Sequence, residues 1–241
     1  MDVATLQRRL MALGLDTSGE DGIFGPRTRA AVLKALTDGP DWKLEQSDVE
    51  AAAAELRLPP ALVWAVYDVE STGASFIEGR PTILFEPHRF SRATDHRYDA
   101  THPRISSLRW NRRLYPGSQS GRWEQLLDAV ALDVDAGFAS ASYGGFQILG
   151  ENHLVCGAAT PWSFAWQQAQ TESDQLNAFL FFISSKRVDD RKLVDWLRGG
   201  RFDRFAEGYN GTAYRENQYD LRLARAAQRR GVTDPSKERR A

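Results

Sequence analysis

Apolar residues recur at helical spacing twice near the start of the 241-residue chain. Leu6, Leu10 and Leu13 share a face and Gly14 offers a stop, while Thr28, Ala31, Val32 and Leu36 mark a second helix after Gly25-Pro26. Between them Asp21-Gly22 is a strong turn dipeptide, and Ile23-Phe24 is expected to tuck apolar side chains under the helices. Asp38-Gly39-Pro40-Asp41 breaks the pattern, which sets a compact unit over 1–39 and a linker over 40–47. Ser47-Asp48-Val49-Glu50 has the form of a capping box opening a helix through the alanine run to Leu56. Pro59-Pro60 opens the next helix, with Leu62, Val66 and Val69 on one face and Glu70 at its end.

The period then changes. Phe76-Ile77, the turn residues Glu78-Gly79 and the run Thr82 to Glu86 predict one hairpin, with Ile83 and Phe85 on one face and Leu84 and Glu86 on the other. Helical spacing returns in Trp123, Leu126, Leu127, Val130, Val134 and Phe138, read as a single helix, and in Leu176, Phe179, Leu180 and Ile183. Further helices are predicted over 191–198, 202–208 and 214–229. The pattern gives a mainly α protein: a small helical unit, then a larger helical module over 48–230 with one small sheet, and a basic tail over 231–241.

Composition narrows the classes. With 42% hydrophobic and 26% charged residues the chain is neither disordered nor fibrous. Thirty-one Lys and Arg against 32 Asp and Glu remove the electrostatic case for a nucleic-acid partner. The longest apolar run, Leu176 to Ile183, falls far short of the roughly 20 residues that span a bilayer, so no stable membrane insertion is expected. Met1 to Thr5 show neither a basic n-region nor an apolar h-region, so no secretory signal is expected and synthesis is placed in the cytoplasm. The lone Cys156 cannot form an internal disulfide. From Arg222 to the C-terminus the chain is locally basic, read as a solvated final helix with a frayed tail, a membrane-facing helix being the alternative.

Glu70 is the first candidate for chemistry. It ends a helix next to a hairpin, near Trp64 and Tyr67, and an apolar setting there raises a carboxyl pKa as a proton donor to a glycosidic oxygen requires. Glu86 lies sixteen residues later on the second predicted strand, placed to face Glu70 across a cleft. Paired carboxylates are what glycoside hydrolysis uses, one donating the proton and the other activating water or stabilising the positive sugar ring. Glu78, in the turn, competes for the second role. In isolation Glu70 also reads as a solvated surface residue, and Glu86 as a strand residue bonded to backbone or to Arg80 or Arg89.

The segments Glu70-Ser71-Thr72-Gly73-Ala74-Ser75-Phe76 and Gly79-Arg80-Pro81-Thr82-Ile83-Leu84-Phe85-Glu86-Pro87-His88 resemble the modular phage-type endolysins with an N-acetylmuramidase domain. Ser140 to Gly150 contains a Gly-x-x-Gln-Ile stretch, Gly144 to Ile148, similar to one shared across lysozyme-like and lytic transglycosylase folds. Tyr209-Asn210-Gly211, with Tyr214, Asn217 and Tyr219 behind it, is similar to the Tyr-Asn motif that lines the sugar groove there. Residues 6–32 resemble the three-helix peptidoglycan-binding module of cell-wall hydrolases, with Leu33-Lys34-Ala35-Leu36 departing from its usual Phe-Gln close. The resemblance implies an α+β lysozyme-like domain behind a small three-helix wall-binding domain. It implies Glu70 as catalytic acid, Glu86 as the second carboxylate, and Ser142, Tyr143, Gln147, Tyr209 and Asn210 as glycan contacts. Asp21 and Phe24 are implied as wall-module residues. Peptidoglycan is the expected partner, a monomer the expected state, and a membrane-permeabilising partner the expected route to the wall.

Physical reasons stand beside the resemblance. Gly144-Gly145 leaves room for a glycan near the backbone, Gln147 and Asn210 offer donors and acceptors, and Tyr143 and Tyr209 offer faces to sugar rings, with core packing as the alternative for both tyrosines. His88, His96 and His102, interleaved with Asp95 and Asp99, do not have zinc-ligand spacing and are read as solvent-facing or hydrogen-bonded, so no metal or cofactor is expected. Cys156 near His153 is read as a buried inert thiol rather than a nucleophile. Two other functions remain open on this pattern: a lytic transglycosylase, in which the muramic 6-hydroxyl replaces water, and a wall-binding protein with no catalysis.

Overall fold

The computed structural model describes residues 1–71 and 73–232. The basic tail beyond Val232 and Thr72 lie outside the described residues. The N-terminal unit holds two helices, α1 (Val3–Ala12) and α2 (Pro26–Ala35), rather than the expected three. Asp2 caps α1 by accepting from Thr5 N at 2.8 Å. Gln7, fully buried, wires the turn between the helices: its Nε2 donates to Asp21 Oδ1, the Ile23 carbonyl and Thr28 Oγ1, and its Oε1 accepts from Gly22 N at 2.9 Å. Phe24 is half-buried against the core, but Ile23 is 65% exposed instead of tucked beneath the helices.

The segment expected to be a linker packs onto the larger module. Asp41 N donates to the Gln170 carbonyl, Glu172 N to the Trp42 carbonyl, and Leu44 N to the buried Glu172 carboxylate at 2.8 Å. Gly39 lies so close that an added Cβ would stand 2.0 Å from the Ala169 carbonyl oxygen. Arg29 of α2 pairs with Asp128, and one hydrophobic cluster runs from Leu6, Leu10 and Val32 into the larger module.

There α3 (Gln46–Leu56) and α4 (Pro60–Glu70) follow in sequence. The cap of α3 lies two residues before the predicted one: Glu45 N donates to Asp48 Oδ2 at 2.9 Å. Strands β1 (Phe76–Ile77) and β2 (Arg80–Pro81) form a hairpin of their own, turning through Glu78 (φ 54°) and Gly79 (φ 71°). The predicted pairing of 76–77 with 82–86 is therefore corrected. Strand β3 (Ile83–Phe85) pairs instead with β4 (Ala141–Tyr143), which pairs with β5 (Ile148–Leu149), all antiparallel. The chain crosses between β3 and β4 through α5 (Pro87–Ala93), α6 (Gln119–Leu132) and α7 (Val134–Ala139). The helix read as continuous over 123–138 breaks at Asp133, whose extended backbone ends α6 and whose carboxylate caps α7 at Ala136 N.

After β5 come α8 (Pro161–Gln168), α9 (Glu172–Ser185), the short pair β6 (Arg187–Val188) and β7 (Arg191–Lys192), then α10 (Leu193–Arg198), α11 (Phe202–Asn210) and α12 (Tyr219–Arg229). The core is aromatic, with Phe85, Phe90, Phe138, Phe146, Phe164 and Phe179 fully buried. Helix α12 returns to pack on α4, so the last helix braces the one that ends in Glu70. The cation that caps its C-terminal end is committed there: Arg230 holds Asp68 with two bonds of 2.6 and 2.7 Å and lies over the Trp64 ring. No helix among the described residues is long and apolar enough to cross a membrane.

Gly39→Ala drives a methyl group into the Ala169 backbone, and overpacking of this kind costs about 1–3 kcal/mol. Thermal unfolding is expected to shift down by roughly 5 °C, whereas Gly117→Ala, which meets nothing within 4 Å, leaves the transition in place. Equal Tm values for the two variants would show that the connecting segment is not clamped.

Candidate active site

Glu70 is the last residue of α4, and Pro60 at the other end pre-sets the first turn of that helix. One helical face, Leu62, Val66 and Val69, is buried in the core and carries Glu70 inward with it. The side chain lies in a small crevice lined by Val66, Val69, Phe205, Ala206, Tyr219 and Leu223. Burial in this apolar setting pushes its carboxyl pKa up to about 7, opposed by a hydrogen bond from Asn210 Nδ2 at 3.0 Å and by the nearby Arg222 guanidinium. Arg222 is fixed by donating to the Val69 carbonyl at 2.9 Å.

Glu86 follows β3 and precedes α5, its backbone N bonded to the Ser140 carbonyl at 2.9 Å. Burial raises its pKa, while a hydrogen bond from the Tyr115 hydroxyl and the charge of Arg89 act in the opposite direction. His88 Nδ1 stands 3.3 Å from Glu86 Oε2, and burial lowers the imidazole pKa, which favours the neutral ring. The phenol of Tyr219, which lines the Glu70 crevice, is pushed up first by burial and then by the negative charge of Glu70, with Arg222 acting in the opposite direction. Glu78 is elsewhere in character: it sits on the β1–β2 turn, 74% exposed at its side chain, with Arg80 at 3.2 Å.

The motif residues take unequal places. Tyr143 is fully buried and donates to the Phe138 carbonyl at 2.9 Å, so the expectation of a sugar-facing ring is corrected: it has no surface to offer. Tyr209 is half-buried, stacked on Phe205, edge-on to Phe179 and Phe182, and its hydroxyl donates to the Phe146 carbonyl at 2.6 Å. Gln147, at φ 49°, spends its amide on its own loop, donating to Gly144 O at 2.7 Å and accepting from the buried Ser142 hydroxyl at 2.7 Å. The room expected at Gly144-Gly145 is already filled. A Cβ on Gly144 would stand 2.3 Å from Gln175, and one on Gly145 2.4 Å from Ser75 and 2.6 Å from Tyr67. These glycines admit protein side chains, with Gly145 N donating to Gln175 Oε1 at 2.7 Å. Asp21 holds the N-terminal turn through Gln7 and Ile23 N.

Tyr115 and Arg222 carry no local signal in the sequence. Tyr115 lies 29 residues from its partner, in a stretch without periodicity, and Arg222 reads as one surface cation among many. Among the described residues no group of three His, Cys, Asp or Glu side chains is placed to hold a metal ion. His96 bonds Ser91 and faces Asp99, and His102 bonds Thr101. Cys156 is buried, which pushes its thiol up to about 12 and keeps it protonated.

A buried carboxyl with a raised pKa in an apolar crevice, a second buried carboxyl at the end of β3 and a small three-stranded sheet within a helical body fit a lysozyme-like glycoside hydrolase. The chain belongs to the N-acetylmuramidase family, whose model matches residues 59–230, and residues 1–35 match the model of a peptidoglycan binding domain. Among solved structures it is similar to the crystal structure of the Burkholderia AP3 phage endolysin, at 31% identity and TM-score 0.69 over 95% of this chain and 94% of that one. No curated protein sequence matches it.

Burial of Glu70 has a thermodynamic sign. Its folded pKa of about 7 lies above the ordinary 4.5, so the folded protein binds this proton more tightly than the unfolded chain. The stability from that proton is complete below 4.5 and is lost as pH rises through about 7. Glu70→Gln removes the loss, and is expected to stabilise by at most about 2–3 kcal/mol near pH 8 and by almost nothing near pH 4. A Tm difference that does not grow with pH would contradict the buried setting.

Proposed function

We propose that this peptidoglycan-hydrolysing endolysin cuts the β-1,4 bond between N-acetylmuramic acid and N-acetylglucosamine, with Glu70 as the acid. The observation that carries the reading is the buried Glu70 carboxyl, held up to about 7 and bonded to Asn210. A carboxyl at that value is substantially protonated near neutral pH and gives its proton to the glycosidic oxygen as the bond to the muramic C1 breaks. Glu86 takes the second role: it stabilises the positive sugar ring and orients the water that adds to C1, accepting that water's proton. Tyr115 and Arg89 favour its ionised form against burial. Asn210 positions and tunes Glu70. Ser142, Gln147, Tyr143 and Tyr209 act one step back, by fixing the sheet and loop that wall the site.

Residues 1–39 serve as the wall-binding unit, supported by the family match over 1–35, with Asp21 and Phe24 as parts of its framework. The chain acts as a monomer and reaches its substrate with a membrane-permeabilising partner. Water as the nucleophile, rather than the muramic 6-hydroxyl, is favoured by the second carboxyl at Glu86.

Three measurements test this. Mass spectrometry of digested wall is expected to show reducing muramic ends, heavier by one water than anhydro ends, and Glu70→Gln is expected to lose about 10²-fold or more of the activity; dominant anhydro products, or a fully active Glu70→Gln, would sink the assignment. The alkaline limb of the pH profile is expected near 7, from Glu70 losing its proton. Asn210→Ala removes a bond that favours the ionised carboxylate, so that limb moves to higher pH. A limb that stays in place, or moves down, argues against Glu70 as the titrating acid.

A further inference from the structure

The 107–116 segment lies beside the site through Tyr115, and the rest of it is left unused by the proposed chemistry. It carries Trp110, 60% exposed, whose ring centroid lies 6.1 Å from that of Tyr115 at an interplanar angle of 43°. The Tyr115 hydroxyl donates to Glu86, so the aromatic pair reaches from open solvent to the second carboxyl of the site. Leu108, 64% exposed, lies on the same stretch.

This exposure is not the looseness of a free loop. Gln125 of α6, itself buried, donates to the Arg104 carbonyl just before the segment and to the Leu114 carbonyl within it, at 2.8 and 2.9 Å. Asn111 caps the short turn 112–114 by accepting from Arg113 N at 3.0 Å, Ser107 N donates to the Pro87 carbonyl at 3.3 Å, and Arg122 Nε reaches the Pro116 carbonyl at 3.2 Å. An indole with most of its surface in water, on a segment held rigid, forgoes burial that would have favoured folding. A flat apolar face next to a sugar-cleaving carboxyl suits the C–H face of a pyranose ring. Arg109, Arg112 and Arg113 are exposed on the same segment, and none has a carboxylate partner among the described residues. The rim is therefore cationic, which suits a strand whose muramic residues carry acidic lactyl and peptide groups.

We propose that residues 107–116 form a sugar-stacking platform for the glycan strand, with Trp110 as the face on which a pyranose ring lies and Tyr115 as its link to Glu86. The platform rests on the reading of Glu86 as part of the cleavage site. Trp110 binds without touching the reacting atoms, so its loss weakens affinity and leaves the chemical step alone.

The test uses the full chain and a tetrasaccharide of alternating N-acetylglucosamine and N-acetylmuramic acid. Calorimetric titration of Glu70→Gln against Glu70→Gln with Trp110→Ala is expected to show Kd higher by roughly tenfold in the second, the loss of one aromatic contact. Trp110→Phe, which keeps a ring, is expected between them. In the otherwise wild-type chain Trp110→Ala raises KM with kcat nearly unchanged. An unchanged Kd and KM in Trp110→Ala would overturn the platform, as would a fall in kcat with KM unchanged. Product release by Glu70→Gln, followed separately, reports on the catalytic reading, so a failure there is distinguishable from a failure of the platform.

Discussion

Keeping one carboxyl group out of water at the end of a helix is the constraint on which the catalytic module is built. An isolated charged carboxylate in an apolar crevice is too costly to persist, so Glu70 stays protonated near neutrality unless a donor or cation relieves it. Both forms of relief come from the far end of the chain: Asn210 closes α11, and Arg222 lies on α12 against the Val69 carbonyl. Each is partial. Full pairing would lower the pKa and leave the carboxyl ionised at neutral pH, while no pairing would leave its ionised form without support. The packing of α12 on α4, locked by Arg230 on Asp68, is what holds these opposing influences in register.

The second carboxyl is supported from the other direction. Glu86 belongs to the strand end of β3, and the sheet is too small to be rigid through its own ladder. Polar wiring supplies the stiffness. Gln147 joins Ser142, Gly144 and Thr82, and Gln175 reaches from α9 to Gly145 N and to the Gln168 carbonyl. Every one of these amides is satisfied inside the protein, which makes the network a specifying feature rather than a cost. Such a frame fixes the strands and loop next to Glu86 more firmly than their short ladder alone could.

The sequence showed this division only in part. Glu70 was legible because a proline-opened helix with one apolar face ends on it, and Glu86 because the alternation around Ile83 and Phe85 is short but clean. The partner of β3 was not legible, since β4 lies about sixty residues on and two- or three-residue strands carry too little pattern to announce a long-range pairing. The break at Asp133 was hidden by an apolar spacing that continues across it, although an aspartate suited to capping was there to be read. Tyr143 and the glycine pair misled for a different reason. A motif that recurs beside a sugar groove contains the residues that shape the groove as well as those that touch the sugar, and residue type alone does not separate a buried tyrosine from an exposed one.

The segment over 40–47 changes how the wall-binding unit must be understood. A flexible tether raises local concentration and lets the catalyst search around its anchor. Here Gly39 sits against Ala169, Asp41 and Trp42 bond to the start of α9, and the turn at Gly79 approaches Thr37 to within 3.1 Å of a built Cβ. That hairpin immediately precedes β3 in the chain, so the contacts that dock the N-terminal unit also restrain the strand leading to Glu86. A unit fixed in this way keeps one orientation to the crevice of Glu70, set by these contacts. What the docked segment gains in fixed geometry it gives up in the wider search that a loose linker would allow.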